Sequence, residues 1–273
     1  MGYIIGIDVG GSTTKIVGLK DGVLQNTINV KASDPVTSAY GAFGKFLTES
    51  GLEIADIDKV MFTGVGSSFL KNEIFGLPCE KVDEFMAIGL GGRHLTGIEN
   101  ALMVSMGTGT AYVSVVGDKI VHEGGTGVGG GTLLGLSSVM IGVRTFENIM
   151  ALAEKGNLSN VDLTIGDISE TNISNMNGEI TASNFGKISD VATDDDKALG
   201  IVNLVFQTIG MCAVFAARAK GLKDVVLTGN LSKNPMARRT LTMLEELYEI
   251  KFHIPEHSDF ATAIGAAING QNK

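Results

Sequence analysis

Asp8 stands in an apolar run directly before a Gly-Gly turn, and Lys15 follows on the far side of that turn. A buried acid in such a place is costly unless it is paired or holds a metal. The stretch from Tyr3 to Leu19 reads as a strand, a tight turn at Gly10-Gly11-Ser12 and a returning strand. The same design recurs from Ala101 to Val116 around Gly107-Thr108-Gly109-Thr110. Glycine lets a backbone approach a phosphate closely. Ser12, Thr13, Thr14, Thr108 and main-chain N–H groups would then act as donors. Two such hairpins in one chain predict a duplicated α/β protein that grips a polyphosphate, with Asp8 on a metal or its water. Lys15 reads equally as a phosphate contact or as a solvated strand residue.

Three further places could do chemistry. Glu84 follows Asp83 at the start of a predicted helix over 82–95, and either acid suits the helix dipole there. A carboxylate in reach of a substrate hydroxyl could also take its proton as a phosphoryl group arrives. His122 ends a predicted strand over 118–122. It reads as an exposed strand-end histidine or as a contact beside a substrate loop. The run from Gly124 to Thr132 is dense in glycine and feeds an apolar helix over 133–143. A helix N-terminus after glycines favours anions, so Gly129, Gly130, Gly131 and Thr132 are candidate nucleotide contacts.

The positioning elements follow from pattern. The first half reads β-β-β-α-β-α, with turns at Lys20-Asp21-Gly22 and Thr63-Gly64. The second half repeats this with larger insertions. The polar stretch 157–182 is expected to be a surface insertion. Long helical patterning spans 194–218, then a strand 224–228, Gly229-Asn230, a helix 235–246, a strand 251–254 and a closing helix 260–269.

With 273 residues, 44% hydrophobic composition and a mean hydropathy of +0.24, the chain can bury a sizeable core. A net charge of −9 argues against a broad basic surface for nucleic acid. Cys79 and Cys212 show no metal spacing, which fits a reduced, cytoplasmic setting. No signal peptide is expected. The apolar stretch 201–219 is interrupted by Asn203, Gln207, Thr208 and Arg218, and is expected to be an internal helix rather than a membrane span.

The ordered set of residues 7–15, Gly107–Thr110 and Gly229-Asn230 resembles the superfamily of acetate and sugar kinases, heat-shock 70 ATPases and actin. The run Gly124–Leu136, the stretch 153–163 and Thr181–Gly186 narrow the resemblance to type II pantothenate kinase. That resemblance implies two duplicated ribonuclease-H-like, actin-like α/β domains with a nucleotide cleft between them. It places an N-terminal domain at 1–98 and a C-terminal domain at 99–258, with a final helix 259–271 packing back on the first.

The family phosphorylates pantothenate with ATP and Mg²⁺ and is a homodimer. Carried over, Asp8 to Lys15 would hold phosphates and Mg²⁺, and Thr108 and Gly129–Thr132 would line the nucleotide. Phe146 would lie beside the base, Asn230 in the adenosine motif, and Glu84 at the catalytic base. The family has Arg where this chain has His122, and often Ser where it has Ala111. Both positions face the acceptor in the family. The rival expectations are a kinase of pantetheine or a sugar, or a nucleotide-dependent conformational ATPase.

Overall fold

The computed structural model describes residues 2–31, 34–169 and 178–271. Its first half opens with β1 (Tyr3–Val9), β2 (Thr13–Lys20) and β3 (Val23–Lys31), an antiparallel meander. Helix α1 (Pro35–Ser50) follows, capped by Asp34, whose carboxylate accepts the Thr37 N–H at 2.7 Å. Then come β4 (Ile57–Thr63), β5 (Glu73–Ile74), β6 (Leu77–Lys81) and α2 (Glu84–Thr96). The sheet order is β3-β2-β1-β4-β6-β5, with β4 parallel to both β1 and β6.

The second half restarts with β7 (Asn100–Met106), β8 (Thr110–Val116) and β9 (Lys119–Thr126). It continues through α3 (Gly130–Met140), α4 (Phe146–Ala153), β10 (Leu163–Thr164), α5 (Ile165–Ile168), β11 (Thr181–Ser183) and α6 (Asp194–Ala219). Strand β12 (Asp224–Thr228), helix α7 (Pro235–Tyr248), strand β13 (Lys251–His253) and helix α8 (Ala261–Gln271) complete the order. The second sheet runs β9-β8-β7-β12-β13, with β12 parallel to β7 and β13. Apart from the short β5 edge, this is the strand order of the first sheet, so the duplication seen in the hairpins extends through each sheet.

The layers follow from which faces are apolar. Ile5, Ile7 and Val9 of β1 bury against Phe43 and Phe46 of α1. The opposite face of that sheet packs on α8 through Val17, Leu19, Ala263 and Ile264. Helix α2 lies on the second sheet through Ile88, Met103, Val113 and Val115. The far face of that sheet is covered by α6, α4 and α7. Helices α2 and α8 therefore cross between the two sheets. They cross backbone to backbone: a Cβ at Gly91 would collide with the Ala261 carbonyl oxygen, and one at Gly265 with that of Ala87.

The structure departs from the sequence expectations in four places. Strand β9 runs on through Gly124 to Thr126 before the glycine loop begins. The apolar helix starts at Gly130, not 133, and ends at Met140. The β5–β6 hairpin lies between the predicted strand ending at Gly64 and the predicted helix over 82–95, where β5 has only two residues and β6 contains Pro78. The stretch 157–182 is not purely superficial. Val161 and Asp162 are buried, and the Asp162 carboxylate accepts hydrogen bonds from Thr181, Asn184, Asn203 and the Phe185 N–H. Helix α6 is long and apolar enough to cross a membrane by length and composition, but most of its apolar window is buried inside the chain.

Candidate active site

The two hairpin turns face each other across a cleft. A Cβ placed on Gly11 would lie 4.0 Å from Thr108 Oγ1, and Asn230 Nδ2 donates to Thr13 Oγ1 at 3.4 Å. The lining includes Asp8, Gly10, Gly11, Ser12, Thr13 and Lys15 from the first hairpin. Gly107, Thr108, Gly109, Thr110 and Ala111 come from the second, with Glu84 and Asn230 at the sides. The cavity volume is about 680 Å³.

Each strand end is shaped for this role. Strands β4 and β12 both finish in Thr-Gly, at Thr63-Gly64 and Thr228-Gly229, with φ of +84° and +86° at the two glycines. A side chain would be strained there. A Cβ on Gly64 would also strike the Asp8 carboxylate, and one on Gly229 would come within 2.5 Å of the Met106 carbonyl oxygen.

Lys15, Asp8 and Thr63 form one row across β2, β1 and β4. Burial holds the Asp8 carboxyl above its ordinary pKa, and Lys15 opposes that shift. Burial likewise lowers the Lys15 ammonium, against the pull of Asp8 and Asp259. Asp259 is itself paired with Lys233 at 2.7 Å. The root of the first turn thus holds a buried carboxylate beside a buried ammonium, each favouring the charged form of the other.

Glu84 enters from the other side. It is the first residue of α2, and Asp83 caps that helix by accepting the Met86 N–H at 3.0 Å. Asp83 is occupied in holding the helix, which leaves Glu84 to face the cleft. Burial first, then the charges of Asp8 and Asp83, push the Glu84 carboxyl up to about 7. A carboxyl poised near neutrality suits a general base.

Several sequence candidates sit outside the cleft lining. The Thr14 side chain is buried. The N–H groups of Gly130 and Gly131, at the start of α3, donate to the carbonyls of Gly107 and Thr108, each at 2.9 Å. They hold the second hairpin in place rather than standing open for an anion. Gly129 must be glycine for the same reason, since a Cβ there would lie 2.6 Å from Thr108 O. The Thr132 hydroxyl donates to Gly127 O at 2.9 Å, closing the loop on itself. Phe146 opens α4 and packs on the core beneath the second sheet. His122 lies flat on Phe85, with ring centroids 3.7 Å apart and planes at 9°.

Gly125–Gly127 of the glycine-dense run and Gly229 of the Gly229-Asn230 pair also line the cleft, and so do Val65, Ser105 and Thr262, which are not among the candidates read from the sequence. Ser105 could have been found. Aligning the two hairpins on their first glycines puts Ser105 in the second where Asp8 stands in the first. Thr262, one residue in the first turn of α8, gives no such signal.

The residues present fit a hard divalent cation held jointly with a nucleotide. Mg²⁺ takes one or two carboxylates plus phosphate oxygens and water, and Asp8 offers such an oxygen donor beside the first turn. No cluster of three metal-ligating side chains exists among the described residues, so a fully protein-built cage is not formed.

A family model described as Fumble matches residues 4–269. The chain belongs to the Fumble family. Relatives of this Fumble-family chain include the type II pantothenate kinase of Bacillus cereus (strain ATCC 10987 / NRS 248), 27% identical over 98% of both chains. The type II pantothenate kinase of Staphylococcus saprophyticus is 25% identical over 96% of this chain and 98% of its own. Among solved structures, component A of (R)-2-hydroxyglutaryl-CoA dehydratase from Acidaminococcus fermentans superposes with a TM-score of 0.67 at 18% identity. It covers 98% of this chain and 97% of its own. A ROK family glucokinase from Streptomyces griseus, solved with glucose and AMPPNP, gives 0.65 at 13% identity, with 100% of both chains covered. These likenesses show the fold, which is two actin-like α/β domains.

Proposed function

We propose that the protein is an ATP-dependent pantothenate kinase, transferring the γ-phosphoryl group to an alcohol of its acceptor in coenzyme A synthesis. The observation that carries this is the arrival of Glu84, with its carboxyl near neutrality, in a cleft lined by two facing phosphate hairpins. The Fumble-family match and the pantothenate kinase relatives support the acceptor.

Asp8 would hold Mg²⁺, which when bound neutralises charge on the transferring phosphates. Gly10–Thr13 and Gly107–Thr110 offer N–H and hydroxyl donors from opposite sides, so the phosphate chain is gripped between the two halves. Lys15 adds positive charge at the base of that grip. Asn230 braces the first turn through Thr13. Glu84 orients the acceptor hydroxyl and takes its proton as the phosphoryl group arrives. Catalysis of this kind rests on positioning and electrostatics rather than on covalent chemistry by the protein.

One observation favours a second acceptor. Lys15 is the only cationic side chain among the described residues lining the cleft, and Ala111 offers the acceptor end no hydroxyl. An uncharged relative such as pantetheine asks for no carboxylate anchor. ATP consumption with pantothenate, pantetheine and glucose tests both readings. Turnover that depends on pantothenate supports the first, and turnover with pantetheine alone supports the second. ATP hydrolysis indifferent to all three would overturn both. The reading includes a homodimer in the cytoplasm.

A further inference from the structure

We infer that His122 is a positioning residue for Glu84, acting through Phe85, and not an acceptor ligand. This rests on the reading of Glu84 as the base of a phosphoryl transfer. The stack of His122 on Phe85 is nearly parallel at 3.7 Å. Phe85 is the chain neighbour of Glu84 in the first turn of α2.

The contact belongs to a ladder. His122 and Ile120 are alternate residues of β9 and pair with Val113 and Val115 of β8, whose side chains lie beneath α2. Ile120 touches α2 at Gly89, where an added Cβ would lie 2.6 Å from Ile120 Cγ2. Two residues along a strand advance about 6.6 Å. Four residues along a helix, the step from Gly89 to Phe85, advance about 6 Å. The two rungs therefore match, Ile120 on Gly89 and His122 on Phe85, with Glu84 just beyond the last rung.

A bulge follows His122 directly. Strand β9 has one extra residue, Glu123, between the pairs Val113–His122 and Tyr112–Gly124. Glu123 is fixed by the Ser114 hydroxyl at 2.5 Å and by Lys220 at 2.9 Å, Lys220 standing at the end of α6. Beyond the bulge the same strand supplies Gly125 and Thr126 to the cleft, and Gly127 follows directly. The stack thus ties the proposed base to the half of the molecule that carries the second hairpin.

Steady-state kinetics of wild type, His122→Ala, His122→Phe, Phe85→Leu and the His122→Ala/Phe85→Leu double variant test this, with ATP and pantothenate as substrates. His122→Ala is expected to lower kcat about 10- to 100-fold, the scale of a small misplacement, with both KM values within about threefold of wild type. His122→Phe keeps a flat ring and should restore kcat to within about threefold. On the Phe85→Leu background, His122→Ala should add little. A His122→Ala enzyme with wild-type kcat would overturn the inference. So would a His122→Phe enzyme whose acceptor KM rises tenfold or more, because that loss would belong to the ring nitrogens touching substrate.

A second readout is independent of turnover. Amide hydrogen exchange over residues 84–90 should accelerate in His122→Ala and recover in His122→Phe, whereas equal exchange in all three would count against the stack. A wild type that turns over no acceptor would sink the kinase reading, and the exchange result would still decide the stack.

Discussion

Asp83 and Glu84 are consecutive, and the start of α2 divides their roles: Asp83 accepts the Met86 N–H at 3.0 Å, while Glu84, one step into the helix, faces the cleft with its carboxyl near 7. The division predicts distinct mutants. Glu84→Gln should lower kcat by about 10²–10⁴-fold, with little change in ATP affinity. Asp83→Asn keeps a capping side chain and should cost less than about 1 kcal/mol of stability, with kcat nearly intact. Steady-state kinetics and calorimetry with a non-hydrolysable nucleotide check both.

The raised pKa of Glu84 sets a pH dependence. The base works when ionised, so kcat/KM for the acceptor should rise with pH and level off above about 7. Stability should move the other way. The group titrates near 4.5 when unfolded and near 7 in the fold, so the native state holds the extra proton between those values. The stability that protonation supports is complete below 4.5 and is lost as pH climbs through 7. Glu84→Gln removes that loss. It should unfold at higher urea than wild type at pH 8, by of order 1–3 kcal/mol after discounting for partial exposure, and match it at pH 4. A variant no more stable than wild type at pH 8 would contradict the assignment of the strained carboxyl.

Gly129→Ala tests the second hairpin. Its Cβ would lie 2.6 Å from Thr108 O, so Thr108 and Gly109 must shift. The ATP KM should rise roughly tenfold or more, as expected when a phosphate grip moves by a fraction of an ångström. An unchanged ATP KM would show that the hairpin is not the grip.

The crossing of α2 and α8 tolerates no side chain at Gly265. Gly265→Ala should destabilise the protein by about 1–3 kcal/mol or more, read from chemical denaturation. Because α2 also carries Glu84, kcat should fall in the fraction that stays folded.

The homodimer should appear in light scattering as twice 28.5 kDa at micromolar concentration. Helix α6 is mostly buried within its own chain, but Phe215 on its outer face is 63% exposed and Val139 of α3 is 85% exposed. A mass of one chain would refute the dimer.

Much of this was legible in the sequence because hairpins and buried helices leave local marks. The alternation of Tyr3–Leu19 around Gly10-Gly11, and its repeat at Ala101–Val116, announce strands that turn at glycine. What escaped was set by partners far along the chain. Sequence gives no sign that the Gly130 and Gly131 N–H groups are taken by Gly107 and Thr108, since helix-leading glycines look the same whether they bind an anion or a neighbouring carbonyl. The placement of His122 on Phe85 depends on a strand–helix register that neither segment encodes alone. Thr14 differs from Thr13 only in parity, so its burial depends on which face of β2 meets α1.

Helix α8 is the last described helix of the chain, yet it covers the sheet made of the first strands, with Ala263 against Gly6 of β1. During synthesis on the ribosome, the second face of that sheet stays open until α8 emerges, after all the strands of the second sheet. The nascent first half therefore carries Val17 and Leu19 uncovered while the second half is made, a period when a bare apolar face invites chaperones or aggregation. The cleft cannot assemble stepwise from its N-terminal part, because the element that sets α2, and with it Glu84, emerges only after the second sheet.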